Sequence, residues 1–134
     1  MIDPDRVPDV EAGELLGRFV TQSGQFRADK TVKQDVFIPT TKGEVSVMRH
    51  RDASAEEIWK VGHAVADGMR RTLYGRSDLL ASACANAGLR VDATPILPDN
   101  PNHADINGWP ATKEDRKAIA QKLAVVASKL MPPP

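Results

Sequence analysis

The sequence has a single cysteine, Cys84, so no disulfide can close within the chain. A disulfide-stapled scaffold is excluded, and a reducing compartment is the expected home. Aromatic residues are scarce, at 4%, so a core must be built mainly from Val, Ile, Leu and Ala. An excess of either charge is also lacking, because 18 Lys and Arg balance 18 Asp and Glu. Proteins that bind nucleic acid through counterion release are usually basic overall, so that class is disfavoured. No run approaches the roughly 18 apolar residues of a membrane span. The acidic start Met1-Ile2-Asp3-Pro4-Asp5 has no signal-peptide core. The expected setting is cytoplasmic, with no membrane partner.

Motifs of common chemistry are missing as well. There is no phosphate-cradling glycine loop, no Cys-x-x-Cys, no His-Glu-x-x-His and no Gly-x-Ser-x-Gly. Nucleotide-dependent, zinc-protease and nucleophile-elbow chemistry lose support accordingly. His50, His63 and His103 lie far apart, without ligand-type spacing, so no metal site is expected. No cofactor is expected either. Cys84 sits among Ala81, Ala83 and Ala85 and reads as a buried apolar residue rather than a nucleophile.

What is present is a chain of 134 residues, 41% hydrophobic, which suits one domain. Residues 1–13 carry four acids and two prolines and read as a flexible arm. Residues 14–131 form the expected domain, and 132–134 are a proline tail. Leu15 to Val20 reads as a strand. Val32 to Ile38 and Glu44 to His50, around a Gly-containing loop, read as a hairpin. Ser54-Ala55-Glu56-Glu57 is a capping box for a helix running to about Arg71, with Ile58, Val61, Gly62, Val65 and Met69 as its apolar stripe. Gly62 on that stripe implies close approach of another element. Ser77-Asp78 reads as the start of a second helix, ending at Gly88. Leu89 to Thr94 reads as a strand, and the proline-rich residues 95–110 read mostly as loop. Thr112 caps a last helix striped by Ile119, Leu123, Val126 and Leu130. The expected class is α+β: a mostly antiparallel sheet of three to five strands with helices packed on one face. Val45, Val47, Ile58, Val65, Leu80, Ile119, Leu123 and Val126 are the expected core.

Three segments could carry function. In an extended chain, His103 and Asp105 point to one face, as a base or proton shuttle and its carboxylate would. The plainer role of His103 is to tether loop backbone, with Trp109 plugging the core; in a functional reading Trp109 is a binding residue beside Arg49 and Arg76. Arg76, before the expected second helix, could hold a phosphate or carboxylate, or serve as a surface ion-pair partner. Arg49, in Arg49-His50-Arg51-Asp52, lies at a strand end, where binding residues often sit.

The segments Phe37-Ile38-Pro39, Glu44 to Arg49, Glu57-Ile58-Trp59 and His103 to Pro110 resemble those of small uncharacterised bacterial proteins of unknown function. The likeness covers most of residues 15–130. It implies a bacterial or phage intracellular system and brings no catalytic residues with it.

The leading expectation is a non-enzymatic interaction or regulatory module with a protein partner or a second copy. The alternative is a small hydrolase or nuclease-like enzyme using His103 and Asp105, with Arg49 or Arg76 as anion clamp. A third reading is nucleic-acid binding through Arg27, Lys30, Lys33, Arg70, Arg71 and Arg76. Whether the chain is an enzyme stays open at this level. Convergence of His103, Asp105, Arg49 and Arg76 on one cavity would favour the enzyme.

Overall fold

A computed structural model describes residues 7–134. Five strands form one antiparallel sheet: β1 (Leu15–Val20), β2 (Val45–Arg49), β3 (Gly75–Leu80), β4 (Arg90–Ala93) and β5 (His103–Asn107). Their spatial order is β3-β1-β2-β5-β4. Three helices complete the α+β fold: α1 (Ala55–Gly68), α2 (Ala81–Asn86) and α3 (Lys113–Val126).

Strand alternation sorts the side chains onto two faces. Leu16, Val20, Val45, Val47, Leu79, Ala104 and Ile106 point to one side, where they join Phe37, Cys84, Ala120 and Leu123 in the main core. Helices α2 and α3 serve this face. Phe19 and Arg76 point to the other, and α1 crosses there. A Cβ added to Gly62 of α1 would lie 2.7 Å from the Phe19 ring, so the helix approaches as closely as the glycine implied. Met48, Ile58, Ala66 and Leu73 are buried outside the main core cluster.

The α1 capping box forms as expected. Glu57 N donates to Ser54 Oγ at 3.1 Å, and Ser54 N donates to Glu57 Oε1 at 3.5 Å. The helix ends at Gly68, before the expected Arg71. Ser54→Ala is expected to lower stability by about 1 kcal/mol. A urea denaturation midpoint equal to that of the parent would count against the cap.

Three local expectations change. The first arm of the expected hairpin is not a strand, since Gln34–Phe37 form a 3-10 turn. β2 pairs with β5 along its length and with β1 through Met48 and Arg49, and residues 32–38 form no ladder with it. Arg18 holds that segment over the sheet instead, donating to Val36 O and Ser46 O, each at 2.9 Å. Burial lowers the pKa of its guanidinium to about 10. Second, Ser77-Asp78 lies inside β3, and α2 begins only at Ala81. Third, residues 95–110 contain β5, which pairs on both sides, with β2 and β4.

The core differs at its margins. Val45, Val47, Ile58 and Leu123 are buried, and Val65 and Ile119 are partly covered. Leu80 and Val126, expected inside, are exposed. Val126 is the last residue of α3 and, like Val125, faces away from the core, which Ala127 and Leu130 contact further along. Of the expected N-terminal arm, residues 1–6 lie outside the described residues. The remainder makes defined contacts: Val10 packs on the core, and Ser82 N donates to Ala12 O at 2.9 Å.

Candidate functional site

The four residues proposed to converge lie apart. His103 and Asp105 share one face of β5, as their spacing implied, but no hydrogen bond joins them. His103 Nδ1 lies 2.9 Å from Thr94 Oγ1 and 3.1 Å from Thr94 O, which ties the ring to the strand-end backbone. Asp105 is buried, and its carboxylate accepts from Ser46 Oγ at 3.3 Å. Trp109 is half-buried against the core, with Nε1 donating to Ile106 O at 2.9 Å.

Arg49 occupies the opposite face and is fully buried. Its Nε and Nη2 donate to the Glu14 carboxylate at 2.7 and 2.8 Å. Nη1 donates to Pro8 O at 2.8 Å, and Nη2 also reaches Asp9 O at 3.3 Å. Four of its five N–H groups bind residues 8–14, and full burial closes the guanidinium to an external anion. Cys84 is buried, and burial pushes its thiol up to about 11, far from a reactive thiolate.

Arg76 stands in a different setting, where side chains distant in sequence meet. It lies on β3 beneath α1, its guanidinium carbon 4.7 Å from the centroid of the Trp59 ring. That geometry is a cation–π contact. Its Nε donates to both oxygens of Asp78, at 3.2 and 3.3 Å. His50, just past β2, brings Nε2 to the same carboxylate, at 3.3 Å from Asp78 Oδ1. Strand β1 runs between β2 and β3, so this meeting needs a gap in the middle strand. Gly17 supplies it: a Cβ there would lie 2.7 Å from His50 Nε2 and 3.2 Å from Asp78 Oδ1.

The cluster is incompletely satisfied. Among the described residues, Arg76 Nη1 is buried without a hydrogen-bond partner, and His50 Nε2, though 3.3 Å from Asp78 Oδ1, makes no well-formed hydrogen bond. Buried polar groups of this kind are uncommon, and Arg51 Nε and Asn100 Oδ1 are two others among the described residues. Arg76 also forms part of a shallow groove of about 760 Å³ between α1 and the C-terminal segment. Trp59, Lys60 and His63 line it from α1, and Met131 and Pro132 from the chain end. The groove thus combines an aromatic face, apolar lining from Met131 and Pro132, three side chains able to carry positive charge and the carboxylate of Glu56.

The sequence pointed to Arg76 but not to its companions. Glu56, Trp59, Lys60 and His63 recur at helical spacing along the flank of α1 beside the buried stripe of Ile58, Gly62 and Ala66. That second stripe was the available signal. Nothing local could pair His50 with Asp78, since they meet only across Gly17. Of the basic residues considered for nucleic acid, Arg27 lines a separate hollow of about 310 Å³ beside α3, together with Lys129. Among the described residues, no group of three or more His, Cys, Asp or Glu is placed to hold a metal ion. No helix among them is long and apolar enough to cross a membrane. No protein-family model matches the chain, and no curated protein or solved structure matches it.

Proposed function

We propose that this chain is a non-enzymatic interaction module of a bacterial or phage intracellular system. It holds an anionic segment of a partner protein in the groove between α1 and the C-terminal segment. The observation that carries this reading is Arg76: its guanidinium is stacked on Trp59, braced by Asp78 and part of the groove lining. A carboxylate or phosphate entering the groove would meet that group together with Lys60 and His63. The Trp59 ring and Met131 would cover the neighbouring apolar atoms. A preorganised guanidinium loses little freedom on binding, which favours affinity. The single cysteine and balanced charge support a cytoplasmic setting and a protein partner over nucleic acid.

The test is affinity purification from the native host, using the parent chain, Lys60→Glu, and Arg71→Glu as a control outside the groove. A partner should be recovered with the parent and the control and be lost with Lys60→Glu. Losing one charge-assisted contact should cost about 1.5–3 kcal/mol, or roughly ten- to a hundredfold in affinity for the purified partner. Equal recovery with all three chains would remove the groove from the binding surface.

A further inference from the structure

The two margins of the sheet are treated differently. At β3 the outer edge is closed by the chain's own end: Arg76 N donates to Met131 O at 3.0 Å, and Met131 N donates to Arg76 O at 2.9 Å. Ser128 N donates to Asp78 O at 2.8 Å on the same edge. At β4, the other margin, no such cover is present among the described residues. Thr94 N donates to His103 O at 3.0 Å, which sets the phase of the β4–β5 ladder. Antiparallel alternation then turns the backbone groups of Arg90 and Asp92 inward to β5 and those of Val91 and Ala93 outward. Among the described residues, no hydrogen bond satisfies those outward groups.

We propose that the β4 edge binds the β4 edge of a second copy of this chain, antiparallel, about a twofold axis at Val91. The charges on the strand select this occupant and this register. Outward groups must pair with outward groups, so odd-numbered residues face odd-numbered residues. Centring on Asp92 would set Asp92 against itself, and centring on Arg90 would set Arg90 against itself. Centring on Val91 sets Arg90 of each copy against Asp92 of the other, twice over by symmetry. Opposite charges directly across a ladder are favourable, and like charges are unfavourable. Both side chains are available, at 67% and 41% exposed. A short charged edge ordinarily discourages pairing. Here the two signs alternate at adjacent inward-bonded positions, which makes the edge complementary to its own twofold image. The interface is isologous, and the two sheets become one continuous sheet.

The test is sedimentation of the full chain at rising concentration, with R90D and D92R, each checked for parental circular dichroism. The parent should form dimers, and each single variant should remain monomeric because it sets like charges against each other. An equimolar mixture of R90D and D92R should restore dimers as a mixed pair, since one chain then presents two acids and the other two bases. The Arg90–Asp92 contact within one strand cannot produce that rescue. In the parent, hydrogen exchange at the Val91 and Ala93 amides should slow as concentration rises. A parent that stays monomeric, dimers indifferent to the variants, a mixture that fails to pair, or unchanged exchange at those two amides would each overturn the proposal.

Discussion

Arg49→Ala is expected to destabilise the chain by roughly 3–5 kcal/mol, the range for breaking a buried ion pair on one side. Arg49 is fully buried, and its guanidinium binds the Glu14 carboxylate through two nitrogens. It also satisfies the carbonyls of Pro8 and Asp9, so one side chain fastens residues 8–14 to the sheet. Truncation leaves a largely covered carboxylate facing a cavity. Urea denaturation measures the loss, and a midpoint near that of the parent would show that the clasp contributes little. The pH dependence gives a second reading. The hydrogen bond from Arg49 holds the Glu14 carboxyl below the usual glutamate range, with partial opposition from burial. A depressed folded-state pKa stabilises the fold above the ordinary glutamate value, and that contribution is lost as pH falls through the folded value. Arg49→Ala should therefore flatten the acid side of the stability profile. Replacing the pair together, as Arg49→Met with Glu14→Leu, should recover part of the loss, because no charge is then left without its partner.

Leu123→Ala is expected to cost roughly 2–5 kcal/mol, combining lost transfer energy with the cavity left behind. Leu123 is 1% exposed and belongs to the main core with Phe37 and Cys84. Val126 lies three residues further along the same helix and is 61% exposed. Val126→Ala should stay within about 0.5 kcal/mol of the parent, as surface substitutions usually do. Thermal denaturation of the two variants side by side tests where the core ends on α3. Equal losses would place Val126 inside, as its spacing in the sequence suggested.

The candidate site was legible only in pieces. Arg76 stood out because it precedes an expected helix start, where strand β3 stands instead. Trp59, Lys60 and His63 are one helical stripe, and a period can be read from sequence. His50 and Asp78 could not be connected, since His50 follows β2 and Asp78 lies on β3, with β1 between, and they meet through the space that Gly17 leaves. The spacing of Arg49 marked a strand end correctly but said nothing of the face it occupies. The pairing partner decided that: Arg49 stands opposite Leu16, whose side chain is in the core.

Residues within a few positions of one another settle what local energies can settle. Ser54 and Glu57 cap α1 because both groups of the box lie within one turn, whatever packs above them. Thr112 does the same for α3, accepting from Asp115 N at 3.2 Å. The spacing of Gly62 foretold a close contact, and the apolar surroundings of Cys84 foretold its burial. Ser77-Asp78 shows where such reasoning ends. The pair has the composition of a helix cap, yet Ser77 Oγ donates to Ser128 O at 2.6 Å, and Ser128 Oγ accepts from Asp78 N at 2.8 Å. Six consecutive partners on β1 hold the same segment extended. A cap contributes only about 1 kcal/mol. A full strand of ladder bonds with a buried face outweighs it, and those partners lie some 50 to 65 residues away along the chain, where no local pattern reaches.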